Sequence, residues 1–347
     1  MSMRVVYLGL DAHARHCVLG QMNSQGKYLG EAQFATSESE LIRHVVRVEA
    51  KKKLLAVEEG PLARWIGQTL REYVDEVLIC DPRENALINR NPNKKDRVDT
   101  HSLCRLLRLG ELKRVYHPQD DERAVFKAAM QQYLDLRDTE VELKLKLKAK
   151  YRGWGVVAVE GTKVYGTSHR GEYLEQVKAE AIRHQLERLY VLLDAALLAQ
   201  EQSLAEVVRL GRRYREIAEF DKVPGVGVVG AHLFDAYIQT PDRFETKRQL
   251  WRYCQLGVTD RSSEGKPLGF RRLDRAGNSE LKAMSYHAWQ TAVGGVNEVN
   301  EFYQQSLART QDRVAARLNT QRKILATLWG LWKRKESYRK ELFLGSA

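Results

Sequence analysis

The chain has 347 residues, 43% of them hydrophobic, which is ample for two domains with separate cores and no covalent staples. Lysine and arginine number 57 against 45 aspartates and glutamates, a formal charge of +12 that favours a polyanionic partner without separating DNA, RNA and membrane surfaces. No run of about 18 apolar residues occurs and the N-terminus shows no signal-peptide core, so membrane insertion and secretion are not expected and the cytosol is.

In chain order, residues 5–10, 17–22 and 27–34 read as three successive strands, with Asn23-Ser24-Gln25-Gly26 as the clearest turn. A helix over 38–50, a strand over 54–58, a helix over 61–73 opened by Pro61, and a strand over 76–80 follow. Asp11 ends the first apolar run and Glu58 the fourth, so each carboxylate emerges where a buried strand surfaces. Asp96 and Asp99, in Lys95-Asp96-Arg97-Val98-Asp99, are spaced to share one helical face. Hard oxygen ligands of this kind suit Mg²⁺ or Mn²⁺, not zinc. A carboxylate at a strand end or helix start is by itself an ordinary cap or surface charge, so the weight lies in the set. A three-strand meander followed by β-α-β, with acids on the first and fourth strands, is the layout of the ribonuclease H-like α/β fold.

Cys17, Cys80, Cys104 and Cys254 are far apart and form no CxxC pair, which reads as core thiols and not a zinc knuckle or disulfide framework. His13 and His16 lie near Asp11 but do not suit an oxygen-ligand site. Lys94, Lys95 and Arg97 fit phosphate contact and charge balance equally well.

From about residue 120 to 220 the chain is rich in Leu, Ala, Glu, Lys and Arg, which predicts long helices. The stretch 142–150 alternates with period two, yet its neighbours and leucines favour helix, and its lysines fit a solvated face or a nucleic-acid backbone equally. Five glycines between Gly153 and Gly171 predict an irregular tip on a helical hairpin, whose two helices also suit pairing with another protomer.

The last third opens on Val223-Pro224-Gly225-Val226-Gly227, a turn into a helix. Such a turn either presents backbone N–H groups to phosphate, as helix-hairpin-helix DNA binders do, or needs glycine for its dihedrals alone. Further on, Ser262 and Ser263 stand among Lys266, Arg271 and Arg272. A serine hydroxyl attacks a phosphodiester when its proton is removed and the developing charge is stabilised, although most serines in glycine-rich loops make turns. Trp329 and Trp332, mixed with cations near the C-terminus, read as core.

Taken in order, Gly9-Leu10-Asp11, Glu58-Glu59-Gly60-Pro61, Lys95-Asp96-Arg97-Val98-Asp99, Pro224-Gly225-Val226-Gly227, Asp242-Arg243-Phe244, the Ser263 segment and Ala276-Gly277-Asn278 with Leu281 resemble the landmarks of the DEDD transposases of insertion-sequence family 110, relatives of the Piv DNA invertases. The resemblance runs through nearly the whole chain. It implies a RuvC-like metal-binding domain over 1–115, a helical coiled-coil connector over 116–220 and a mainly α-helical C-terminal transposase domain over 221–347 with a nucleophilic serine.

By the resemblance, Asp11, Glu58, Asp96 and Asp99 hold Mg²⁺ (or Mn²⁺), and Ser263, ahead of Ser262 by register, becomes joined to DNA. Lys95, Arg97, Gly225, Gly227, Lys266, Arg271 and Arg272 are the candidate nucleic-acid contacts. The implied partners are donor and target DNA, a non-coding bridge RNA that pairs with both, and further copies of the chain, as dimer or tetramer with composite active sites; no membrane is implied. Sequence choice then falls to base pairing. Glu58 and Glu59 leave a one-residue ambiguity that strand alternation resolves in favour of one. Glu264 stands where the family has glycine, and Gln255 and Val258 replace an expected Gly and Pro. A metal-only, structure-selective nuclease of the Holliday-junction type and a non-enzymatic RNA- and DNA-binding scaffold are the alternatives.

Overall fold

A computed structural model describes residues 5–82, 96–118, 121–259, 262–263, 266–267 and 272–345, with the description at 96–99, 259, 262–263 and 266–267 confined to the backbone. The chain divides into two compact units, residues 1–119 and 120–347.

The first unit is a five-stranded mixed sheet in the order β3-β2-β1-β4-β5. Strands β1 (Val6–Ala12), β2 (His16–Asn23) and β3 (Tyr28–Ala35) form the antiparallel meander, while β4 (Lys53–Glu58) and β5 (Glu76–Cys80) lie parallel to β1. All five strands fall where the sequence places them. Helices α1 (Glu38–Val46) and α2 (Ala63–Leu70) are shorter than their patterns. Ser37 caps α1 by accepting from the Glu40 N–H at 3.4 Å, and Pro61 falls in the turn before α2 instead of its first helical position.

Strand alternation sorts the side chains between two faces. Val6, Leu8, Leu10, Leu55 and Val57 pack with Leu41, Val45, Ile66 and Leu70 of α1 and α2. Ala56 and Cys80 face Leu103 and Leu106 of α3 (Asp96–Leu109), which crosses the opposite face. Gly9 and Gly20 let α3 come close: a Cβ on Gly9 would lie 2.7 Å from the Thr100 carbonyl oxygen, and one on Gly20 2.8 Å from Thr100 Cβ.

The second unit is mostly helical. The long helices α4 (Asp121–Gly153) and α6 (Glu180–Gly211) form a hairpin. Leu143, Leu147 and Tyr151 are buried at four-residue spacing while Leu145 is 63% exposed, so the period-two stretch is helical as expected. The tip, which includes α5 (Arg170–Glu175), is packed and not open: Val156, Val159, Val164 and Val177 are buried, and the Tyr190 hydroxyl donates to the Val164 carbonyl at 2.7 Å.

Around α8 (Gly227–Ile238), buried from Gly230 to Ile238, assemble α7 (Arg215–Asp221), α9 (Lys247–Tyr253), α10 (Ser279–Ala292), α11 (Glu298–Thr310), α12 (Arg313–Arg334) and α13 (Lys340–Leu344). The same core takes Phe126, Met130 and Leu134 from the start of α4 and Val207 from the end of α6, so the hairpin's base is continuous with it. Trp329 and Trp332 are core residues, and all four cysteines are buried thiols in no disulfide, as the sequence predicts.

Candidate functional site

Two groups of sequence-predicted residues have a structural setting, one in each unit. In the first unit Asp11 lies near the end of β1 and Glu58 ends β4, and the two strands are neighbours, paired in parallel through Leu10↔Val57. Asp11 shares the parity of Gly9, and Glu58 that of Ala56, so both stand on the α3 side of the sheet. The same alternation separates the two glutamates. Val57 faces the α1–α2 core, which sends Glu59 the same way. There His117 Nε2 meets Glu59 Oε2 at 2.6 Å.

Helix α3 runs antiparallel to β1. Arg108 lies against Gly26 in the β2–β3 hairpin, beside the start of β1, whereas Thr100 and Leu103 lie over Gly9. The first turn of α3, Asp96–Asp99, is therefore directed towards the strand ends that carry Asp11 and Glu58. Its placement is pinned at Thr100, which is fully buried and whose hydroxyl lies 3.1 Å from that of Tyr28 on β3. Tyr28 in turn donates to Glu31 at 3.0 Å.

The surroundings suit a hard cation. Burial pushes the Cys17 thiol up and the Cys104 thiol up to about 12, so neither neighbouring sulfur is a thiolate near neutral pH. Among the described residues no three His, Cys, Asp or Glu side chains form a metal-holding cluster. The donors available are carboxylates: Asp11 and Glu58 on neighbouring strand ends, and Asp96 and Asp99 in the first turn of α3, where only the backbone is described. His13 is a partner that the sequence reading set aside. Its Nε2 lies 3.2 Å from Asp11 Oδ2, a hydrogen bond that orients the carboxylate. Lys94 and Lys95 lie outside the described residues; Arg97 sits in the first turn of α3.

The second group lies between α9 and α10. Strands β6 (Val258–Thr259) and β9 (Arg272–Leu273) pair, as do β7 (Ser262–Ser263) and β8 (Lys266–Pro267), so short ladders replace part of the expected loop. Ser263 stands opposite Lys266, and Ser262 opposite Pro267. Arg272 is exposed on β9 opposite Thr259, while Glu264 and Arg271 lie outside the described residues.

The approach to the serines is held from α12 and α10. Arg322 donates to the Leu256 carbonyl from Nε at 2.9 Å and from Nη2 at 2.8 Å, the Trp251 indole donates to the Arg322 carbonyl at 3.0 Å, and the Asn278 N–H donates to the Tyr253 carbonyl at 2.6 Å. Asn278 also caps α10 by accepting from Leu281 N–H at 2.9 Å. Gln255 is in the left-handed region at φ 54°, which accounts for glycine being expected there, and its side chain donates to the Arg275 carbonyl at 2.9 Å.

The Pro224 turn divides its two glycines. Both have positive φ, 85° at Gly225 and 63° at Gly227. A Cβ on Gly225 would fall 2.0 Å from the Ala288 carbonyl oxygen of α10, so this glycine serves close helix packing, whereas Gly227 opens α8 with no heavy atom within 4 Å of such a Cβ. Of the two, Gly227 is the one with room for a ligand atom beside it.

Residues 218–304 match the family model described as Transposase IS116/IS110/IS902 family. The protein named "Putative transposase y4qE" of Sinorhizobium fredii (strain NBRC 101917 / NGR234) is 25% identical over 269 residues, which cover 76% of this chain and 64% of that relative. The matched family segment contains the Pro224 turn, Ser262, Ser263 and the Asn278 cap. Among the described residues no helix is long and apolar enough to cross a membrane.

Proposed function

We propose, for a chain that belongs to the IS116/IS110/IS902 transposase family, that it cuts and rejoins DNA through a serine-linked intermediate, with its acidic residues supporting the phosphoryl chemistry. The observation that supports the reading is the arrangement of the acids within the first unit, on a chain that also bears the serine. Asp11, near the end of β1, and Glu58, at the end of β4, lie on adjacent parallel strands covered by a helix that opens on Asp96 and Asp99, and the same chain bears Ser263 within the segment matched to the family. The sheet order β3-β2-β1-β4-β5 supports a RuvC-like reading of the first unit.

Asp11, Glu58, Asp96 and Asp99 are the residues that would hold Mg²⁺ or Mn²⁺, with Glu58 chosen over Glu59 on parity and on the Glu59–His117 pair. Bound there, the cation would supply Lewis-acid stabilisation of charge on a phosphoryl oxygen. The Ser263 hydroxyl loses its proton to base as Oγ bonds to phosphorus. The bond from phosphorus to the departing deoxyribose oxygen breaks, and that oxygen takes up a proton. Attack by a strand-end hydroxyl on the serine–DNA ester reverses the step and rejoins DNA. Lys266, opposite Ser263 in the β7–β8 ladder, is suited to counter the charge that develops.

The partners in this reading are donor and target DNA, a structured non-coding RNA of the bridge type that pairs with both, and other protomers, so that the acids of one protomer serve the serine of another. An excess of 12 positive charges fits a protein that holds two nucleic acids by their backbones. The test is incubation of the purified chain with element-end and target DNA, the flanking non-coding RNA and Mg²⁺. Ser263→Ala is expected to abolish a covalent protein–DNA product and to leave RNA binding intact. Free cleaved ends without an adduct would point instead to a metal-only nuclease.

A further inference from the structure

A groove of about 380 Å³ lies between α10 and α12 in the second unit, with Leu273 of β9 in its wall. Leu273 and Val314 make part of its lining apolar, Tyr286 gives it an aromatic face, and Lys282, His287 and Arg317 bring nitrogen to it; none of its described lining residues is Asp or Glu. Several other cations of this unit are paired, Arg137 with Asp138 and Glu280, Arg170 with Asp194, and Arg252 with Asp274. Lys282 and Arg317 make no ion pair among the described residues.

Arg317 is held by rings instead. Its Cζ lies 5.4 Å from the Tyr286 centroid and 5.9 Å from that of Trp289, and those two rings are 5.5 Å apart. Its buried Nε has no hydrogen-bond partner among the described residues. A buried donor left without a partner is costly, and an anionic oxygen offered to the guanidinium removes that cost. An apolar ligand would leave the cations unanswered, and a bare anion would leave the Tyr286 face unused. A planar ring carrying a phosphate satisfies both, and the volume is on the scale of a small-ligand pocket, about 300 Å³ and upward.

We propose that this groove binds one unpaired nucleotide of a DNA strand, its base against Tyr286 and its phosphate between Lys282 and Arg317. The inference rests on the reading that the chain acts on DNA. It assigns the groove to the strand being cut because β9 pairs with β6, the strand that immediately precedes the serine segment.

The test is fluorescence anisotropy of the full chain with a short single-stranded DNA, the RNA of the same sequence and the corresponding duplex. Arg317→Gln is expected to weaken single-stranded DNA binding about fivefold and to lower the logarithmic salt slope by about 0.7, the release expected for one single-strand phosphate contact. Tyr286→Leu is expected to weaken it about tenfold with the salt slope unchanged, since stacking carries no counterion release. Tyr286→Phe should bind as the parent does, and duplex affinity should not move. If Tyr286→Leu lowers the melting temperature, Arg317→Gln and Lys282→Gln carry the test. Unchanged single-strand affinity in stably folded groove variants, or equal losses on RNA or duplex, would overturn the proposal. Ser263→Ala is assayed separately, for the covalent product alone. A covalent product persisting in that variant would refute the serine assignment and leave the groove's result standing.

Discussion

At the scale of single residues, one-position differences decide function and stability. Glu58 and Glu59 are adjacent in sequence but fall on opposite faces of the sheet, and only Glu59 is engaged by His117. Glu58→Gln is therefore expected to weaken Mn²⁺ binding, read by titration calorimetry, at least tenfold, whereas Glu59→Gln should change it less than twofold; equal effects would contradict the assignment. The glycines of the Pro224 turn form a second pair. Gly225→Ala drives a Cβ into the Ala288 carbonyl and should cost more than ~3 kcal/mol, while Gly227→Ala meets only the left-handed backbone penalty of ~1 kcal/mol. Thermal melts of the two variants check the contrast. The sequence made both glycines visible as a turn, but a carbonyl 63 residues away in the chain, which separates their roles, has no local signature.

Among the elements, those with strong periodicity were legible and those set by distant contacts were not. The sheet and the long helices could be read because β1 and β4 are apolar runs, exposure alternates along β3, and burial returns at 143, 147 and 151 in α4. The placement of α3 could not, since it depends on the fit of Thr100 against Gly9, Gly20 and Tyr28. The short ladders around Ser263 were equally hidden, because two-residue strands carry no period, and the Arg322 fork that holds their approach lies 66 residues further along the chain.

The start of α4 is fixed by another long-range device. Arg123 pairs with Asp235 of α8 and, at 2.7 Å, with Glu216 of α7, while its Cζ lies 3.9 Å from the Tyr214 ring centroid. Burial, opposed by Arg123 and assisted by Glu216, holds the Asp235 carboxyl well above the usual carboxylate range. An acid whose folded pKa exceeds its unfolded value stabilises the fold most when protonated. That contribution is complete below the unfolded value of about 3.9 and is lost as pH rises towards the folded one. Lowering the pH from 7 to 5 should thus raise the stability of the parent relative to Asp235→Asn, as followed by urea unfolding at the two pH values; a parallel response would contradict it.

For the whole molecule, the charge of +12 favoured a polyanionic partner and the order of motifs pointed to a family resemblance, while the shared core at the hairpin's base and the packed hairpin tip became visible only in three dimensions. Nucleic-acid binding should weaken steeply between about 50 and 200 mM salt, as backbone contacts release counterions. In the proposed function a serine of the β7 strand becomes bonded to DNA in a reaction that needs the acidic residues. The most direct measurement is mass spectrometry of the peptide that retains nucleotide after nuclease and protease digestion of the reaction with RNA, DNA and Mg²⁺. The adduct is expected on Ser263, absent with EDTA and in Asp11→Asn. DNA cleavage with no nucleotide-bearing peptide, or an adduct on a residue outside 262–263, would contradict it.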